Sequence, residues 1–385
     1  MNPDGTRTDT PGSTESAPVD SSSNAGTQAA RSPHKALVFD GHNDVLTKLM
    51  GAGGVKTAEA FLSDTDFHID MPKAARGNLA GGFFAMWVAS PAGHDYQAMM
   101  KQAQYDVPLP DPVPHDDALA VVLAQAAILL RLQDIGAVRI CTSVDELDKC
   151  LGSDRLAAIL HLEGCEAIDP DFHALDVLYA AGLRSVGLVW SRPTRYAAGV
   201  PFRYPSSPDI GAGLTDQGIA LVRRCNDLGI MIDLSHLNLA GFNDVARYSR
   251  HPLVATHSNA HAICPHARNL TDAQLEAIRA SGGMVGLNFA SAFLRDDGRM
   301  ITDVPVVQMI RHLDYLIEAL GESGVGLGSD FDGARIPDVI ADSAGLPVLV
   351  QAMQEHGYGD ALISRICHRN WLDLLNRTWH AKSAG

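Results

Sequence analysis

Several short apolar runs in this chain end in residues able to hold a metal ion or move a proton. The first reads Phe39-Asp40-Gly41-His42-Asn43-Asp44. His42 and Asp44, two apart, point to the same side of an extended chain, so an imidazole and a carboxylate can reach one metal ion. The third run ends His161-Leu162-Glu163-Gly164 and the fifth Asp233-Leu234-Ser235-His236. The sixth ends Thr256-His257-Ser258-Asn259, and the eighth Gly328-Ser329-Asp330-Phe331-Asp332-Gly333. A single histidine after a strand is more often a hydrogen-bonded structural residue than a ligand. Repetition at several strand ends is the stronger sign, and three histidines with several carboxylates at one rim form a nitrogen and oxygen donor set suited to zinc.

These groups converge only if the runs lie side by side. Apolar runs of strand length recur at 36–39, 82–88, 157–162, 185–189, 230–234, 253–256, 284–288 and 325–327, separated by helix-like or mixed sequence. Continuous apolar runs suit strands buried on both faces of a parallel sheet. Thr215 opens a periodic stretch that ends at Gly229, and Thr271 with Gln274 forms a capping-box pattern before a stretch ending at Gly282–Gly283. Eight strands alternating with helices predict an α/β fold, a (β/α)8 TIM barrel of the metal-dependent hydrolase type; an open doubly wound sheet is the competing arrangement. A barrel puts its chemistry at the C-terminal ends of its strands, where the groups above fall.

Of the 385 residues, 1–35 are rich in Ser, Thr, Pro, Gly and Asp and predict a disordered tail, leaving 36–385 as a single catalytic barrel domain. The segment from Asp360 to Trp379 has helical character and is expected on the barrel exterior. Hydrophobic residues at 46% and charged residues at 19% describe an ordinary globular core. Acidic residues outnumber basic ones, 45 to 30, for a net charge of −15, which argues against nucleic acid and anionic membrane surfaces as partners. The longest apolar stretch, 118–130, is interrupted by Gln125 and reads as a buried helix, not a membrane span. Six cysteines without a CxxC pair read as reduced thiols, and with no signal-peptide pattern at the N-terminus the expected compartment is the cytoplasm. The oligomeric state is left open, a homodimer included.

The chain resembles the renal-dipeptidase-like (membrane dipeptidase) family of zinc metallopeptidases, within the amidohydrolase barrels. The resemblance rests on FDGHNDVL at 39–46, HLEG at 161–164, GLTDQG at 213–218, LGIMIDLSHL at 228–237, ATHSNAHAICPHARN at 255–269 and GLGSDFDG at 326–333. It implies two Zn2+ per chain. His42 and Asp44 match ligands of one, His236 and His257 ligands of the other, and Glu163 the carboxylate bridging both. Asp330 matches the acid/base residue, and Arg268 the arginine that holds the substrate carboxylate through a planar bidentate fork. The implied reaction is hydrolysis of a dipeptide, L-Xaa-L-Xaa or L-Xaa-D-Xaa, by a metal-bridging hydroxide. One position departs from the pattern. The family places a substrate-contacting histidine after the fourth strand, and Trp190 stands there; its indole N–H can only donate. Arg192 and Arg195 in the same loop are candidate substitutes for the missing charge. The departure opens a second reading, hydrolysis of another amide such as an N-acyl amino acid, a lactam or a cyclic imide. A non-catalytic binding barrel is the third, and the complete ligand set argues against it.

Other features take plainer readings. The glycines of 324–328 lie within the last strand, with no helix opening directly after, so they do not form a dinucleotide fingerprint. His261 and His266 read as supporting or surface residues and Asp332 as a turn residue. Asn269-Leu270-Thr271 is a glycosylation sequon by letters only.

Overall fold

The computed structural model describes residues 36–90 and 95–379; the predicted tail, 1–35, lies outside them. Eight parallel strands form the core: β1 (Val38–Asn43), β2 (Leu79–Trp87), β3 (Leu156–Glu163), β4 (Leu183–Gly187), β5 (Met231–Asp233), β6 (Val254–Ser258), β7 (Met284–Asn288) and β8 (Val325–Gly328). Each pairs with the next, and β8 returns to β1 through Asp40 and Leu327, closing the barrel. The eight strands coincide with the eight apolar runs. Both faces of each are covered, by helices outside and by interior side chains within, which is why the runs lack alternation. A short strand, Val138–Ile140, pairs beside the start of β3, and a two-stranded ribbon joins Tyr105–Asp106 to Arg203–Tyr204 above the barrel mouth. Neither carries an apolar run long enough to be read from sequence.

The helix signals act where the spacing puts them. Thr215 caps the helix Asp216–Leu228 by accepting from the Gly218 N–H, and Gly229 ends it in the left-handed region at φ 71°. Thr271 and Gln274 form a reciprocal capping box at the helix Asp272–Ala280. The apolar 118–130 stretch lies in the helix His115–Asp134, which buries Val122, Leu129 and Leu132 and leaves Leu123 and Leu130 exposed. Its buried Gln125 donates through Nε2 to the Trp87 carbonyl at the end of β2 and to Thr47 Oγ1, which ties the helix to the barrel. Among the described residues no helix is long and apolar enough to cross a membrane. All six cysteines are buried thiols.

The C-terminal segment corrects an expectation. Its turns Asp360–Ser364, Arg365–Arg369 and Asn370–Trp379 do not simply lie on the exterior. They cross the N-terminal end of the barrel, and Trp371, fully buried, enters as a plug. Its indole N–H donates to the Leu327 carbonyl at 3.0 Å, and its ring lies 5.2 Å from that of Phe83. Room for it comes from glycine: a Cβ on Gly41 would stand 2.5 Å from the indole, and one on Gly326 2.7 Å. The last-strand glycines therefore serve packing, in agreement with their plain reading.

Candidate metal centre and active site

His42 and Asp44 come from the end of β1, Glu163 is the last residue of β3, His236 follows β5, and His257 lies in β6. The fold brings all five together at the C-terminal mouth, and each is buried. His42 Nε2 lies 3.2 Å from Asp44 Oδ2 and 3.6 Å from Glu163 Oε2. The other oxygen, Glu163 Oε1, lies 3.1 Å from His236 Nε2 and 3.5 Å from His257 Nε2. Thus one carboxylate turns each of its oxygens to a different donor group. The groups Glu163–His236–His257 and His42–Asp44–Glu163 each have their donor atoms within 4.8 Å of one another.

Supporting hydrogen bonds set the imidazoles for metal binding. Thr256 Oγ1 donates its one proton to Asp233 Oδ2 at 2.6 Å, so at 2.8 Å it accepts from His257 Nδ1–H. The His257 lone pair is then on Nε2, facing Glu163. His236 Nδ1 is engaged by Ser191 Oγ at 2.8 Å, which again turns Nε2 inward. The two Nε2 atoms stand 3.2 Å apart beside a carboxylate oxygen. A bare lone pair at that distance from another ring nitrogen and an anion is the environment a cation satisfies, so the residues present fit a metal.

Charge gives the same answer. Asp44, Glu163 and Asp233 are buried and Asp330 is half-buried, with the buried Arg268 beside them. Burial pushes the Glu163 and Asp330 carboxyls up. Burial, then the positive groups Arg268 and His42, push His236 and His257 down, keeping both neutral. Burial also opposes a charged His42, but Glu163 and Asp44 outweigh it and hold the imidazole at about 10. Without a cation the cluster takes up protons, and a divalent ion would displace them.

Asp330 lies beside the cluster, with Oδ2 accepting from Asn288 Nδ2 at 3.0 Å. Its backbone is left-handed at φ 60°, as are His236 at 67° and Asp332 at 68°, and non-glycine residues hold such conformations where surrounding bonds impose them. Here the Asp330 N–H donates to the His42 carbonyl. Gly333 closes over both carboxylates. A Cβ there would stand 2.2 Å from Asp44 Oδ2 and 2.6 Å from Asp330 Oδ1. Asp332 holds a left-handed turn conformation as expected, and its carboxylate also accepts from the His68 and Ile69 N–H groups, tying that distant segment to the loop beside Asp330.

Arg268 is buried just under the mouth, over the Phe293 ring, with NH2 donating to the His257 carbonyl and NH1 to Ser258 Oγ. Its Nε has no partner among the described residues. Trp190 forms part of the wall of the cavity above the cluster, about 220 Å³ in volume, its ring 5.8 Å from that of His236. Neither arginine of its loop replaces a lost charge. Arg192 is fully buried and spent on Glu166, Ser90 and the Val88 carbonyl, and Arg195 is exposed. His261 bonds the Ser206 carbonyl, and His266 accepts from the Arg268 N–H, so both support the loop. Asn269 donates to the Cys264 and Phe293 carbonyls while buried, which removes the sequon from use.

The supporting role of His161 went unread. It is fully buried, bonded to Ser185 Oγ, with Nε2 3.7 Å from Asp233 Oδ2. Its signal was present: His161 and Glu163 are two apart in a strand, the spacing that singled out His42 and Asp44. Asn288 and Ser191 had no comparable signal, being uncharged residues at loop edges.

The sequence profile of the family described as Membrane dipeptidase (Peptidase family M19) matches residues 27–384. The chain belongs to that family. A protein of unassigned activity from the pqqA 5′ region of Klebsiella pneumoniae is 46% identical over 265 residues, 68% of this chain and 98% of its own. A Claviceps purpurea dipeptidase is 25% identical over 344 residues, 87% of this chain and 76% of its own. Among solved structures, a metallopeptidase from Rhodobacter sphaeroides superposes with a TM-score of 0.87 at 50% identity, covering 90% of this chain and 100% of its own. That protein was crystallised with a phosphinate mimic of the dipeptide L-Ala-D-Ala. Membership in the membrane dipeptidase family makes this protein a metal-dependent hydrolase of the dipeptidase class, built on a closed eight-stranded parallel barrel.

Proposed function

We propose that the protein is a dinuclear zinc dipeptidase that cleaves L-Xaa-L-Xaa and L-Xaa-D-Xaa dipeptides. The observation that carries the reading is the division of Glu163, with Oε2 toward His42 and Asp44 and Oε1 toward His236 and His257. In this assignment His42 and Asp44 would hold one cation, His236 and His257 would hold the second, and Glu163 would serve both. A bridging carboxylate lowers the repulsion between two like charges held close. Bound there, such ions polarise a carbonyl oxygen and acidify water.

The chain's own groups do the rest. Asp330, its carboxyl pushed up by burial and oriented by Asn288, takes a proton from the attacking water and passes it to the leaving nitrogen. Arg268 supplies the fixed positive charge toward the substrate's free carboxylate, which selects short substrates. Likeness to the Rhodobacter sphaeroides enzyme, whose ligand mimics L-Ala-D-Ala, supports a D residue at the carboxy-terminal position. Trp190 acts as a wall and not as a proton donor, given its packing against Trp87 and Phe202.

Two measurements test this. Protein purified without chelator should carry two equivalents of zinc by mass spectrometry and should hydrolyse L-Ala-D-Ala. Asp330→Asn should keep the zinc and lose at least about a thousandfold in kcat. One equivalent or fewer, or an Asp330→Asn enzyme with near-normal turnover, would overturn the proposal.

A further inference from the structure

Beside the cavity over the metal cluster lies a larger one of about 410 Å³. The two share Trp87, Tyr96, Trp190 and Phe202, so the aromatic residues form a partition between chemistry and chamber. Trp190 meets Trp87 edge-on at 5.3 Å and Phe202 at 5.5 Å, which fixes its ring. Past the partition the walls are Val107, Leu109 and Pro201. Two of the polar lining groups are spent, Ser90 Oγ accepting from Arg192 and Ser191 Oγ bonded to His236, while the buried Trp87 indole N–H has no partner among the described residues. Asp111 stands at the exposed rim. The chamber offers an apolar surface and few unpaired polar groups, the character of a side-chain pocket.

The position of Asp330 decides which side chain. The leaving nitrogen belongs to the carboxy-terminal residue, so that residue lies on the Asp330 side, toward Gly333 and Ala334. The amino-terminal residue then points the other way, to the ends of β2 and β4 where Trp87 and Trp190 stand. We propose that the chamber is the pocket for the amino-terminal side chain, that it favours large apolar and above all aromatic residues, and that Trp190 sets this specificity. This deepens the dipeptidase reading and rests on it. An alanine methyl would leave most of the volume to water, whereas a phenyl or indole ring would cover the walls.

The test is a series with D-Ala as the second residue and L-Ala, L-Leu, L-Phe or L-Trp as the first. The kcat/KM should rise about 10- to 100-fold from Ala to Phe and Trp, the scale of burying an aromatic side chain. The mirror pair L-Ala-D-Ala and L-Ala-D-Phe should show no such gain. Ala89→Trp, at an exposed position lining the chamber, should abolish the gain and leave L-Ala-D-Ala turnover within about threefold; Leu109→Asp should do the same by placing a charge in the chamber. A flat series, a gain confined to the mirror pair, or both variants retaining the gain would overturn the pocket. No turnover of any member would overturn the dipeptidase reading with it, whereas turnover without the gain would overturn the pocket alone.

Discussion

A single methyl group at Gly333 probes the site more sharply than removal of a ligand. Gly333 is exposed on its outer side, has no left-handed backbone to protect, and closes over Asp44 and Asp330. In Gly333→Ala the new Cβ would sit 2.2 Å from Asp44 Oδ2 and 2.6 Å from Asp330 Oδ1, where ordinary contact begins at 3.4 Å. Each oxygen must therefore give way by roughly an ångström. Neither can do so freely. Asp44 is tied through its N–H to the Phe331 carbonyl and through Oδ2 to His42, and Asp330 is held by Asn288. A displacement of about 1 Å in catalytic groups costs on the order of a hundredfold in rate. The variant should lose about that factor in kcat/KM for L-Ala-D-Ala and hold less than its full complement of metal. With metal stripped from both proteins, its thermal midpoint should stay close to that of the parent, because no core contact is lost. Gly359→Ala, where a Cβ meets nothing within 4 Å, is the matched control and should be silent. Gly333→Ala with full metal and activity within about threefold would refute the geometry from which the whole site is read.

Other outcomes follow from the frame around the site. Trp371→Ala would empty the barrel floor, since Gly41 and Gly326 offer no side chains to refill it, and equilibrium unfolding in denaturant should show a loss of about 3–5 kcal/mol. His312, fully buried with Nδ1 accepting from the Ala260 N–H, is pushed down by burial to about 4 from its ordinary 6.5. Between those pH values the unfolded chain binds a proton that the folded protein does not. Stability should fall by up to about 3 kcal/mol as the pH drops through that window and change no further from this source below it. Denaturation of parent and His312→Gln at pH 7 and pH 4.5 checks this: the variant should lack that part of the slope, and identical slopes would remove His312 as its source.

Much of the architecture was legible because it is written in local chemistry. Buried parallel strands need unbroken apolar runs, and all eight appear; helix ends need caps, and Thr215, Gly229, Thr271 and Gln274 stand where the helices begin and stop. His42 and Asp44 were legible for a similar reason, since a two-residue step in a strand fixes which side chains share a face. The extra strand Val138–Ile140 and the ribbon of Tyr105–Asp106 with Arg203–Tyr204 were not, because their pairing is long-range and their composition unremarkable. Trp371 as a plug could not be read from its helix. Its place depends on glycines some 40 to 330 residues away.

Residue types along the chain determined the donor set, the eight-strand rhythm and the acidic character, because each depends on a residue and its near neighbours. Closure of the barrel decided that Glu163 turns one oxygen to each pair of donor groups, that Thr256 and Ser191 aim two imidazoles inward, and that Arg192 is spent on structure. It also made Trp190 a partition between two cavities. Distances between groups from different strands are set by strand register and packing, which no single stretch of sequence contains.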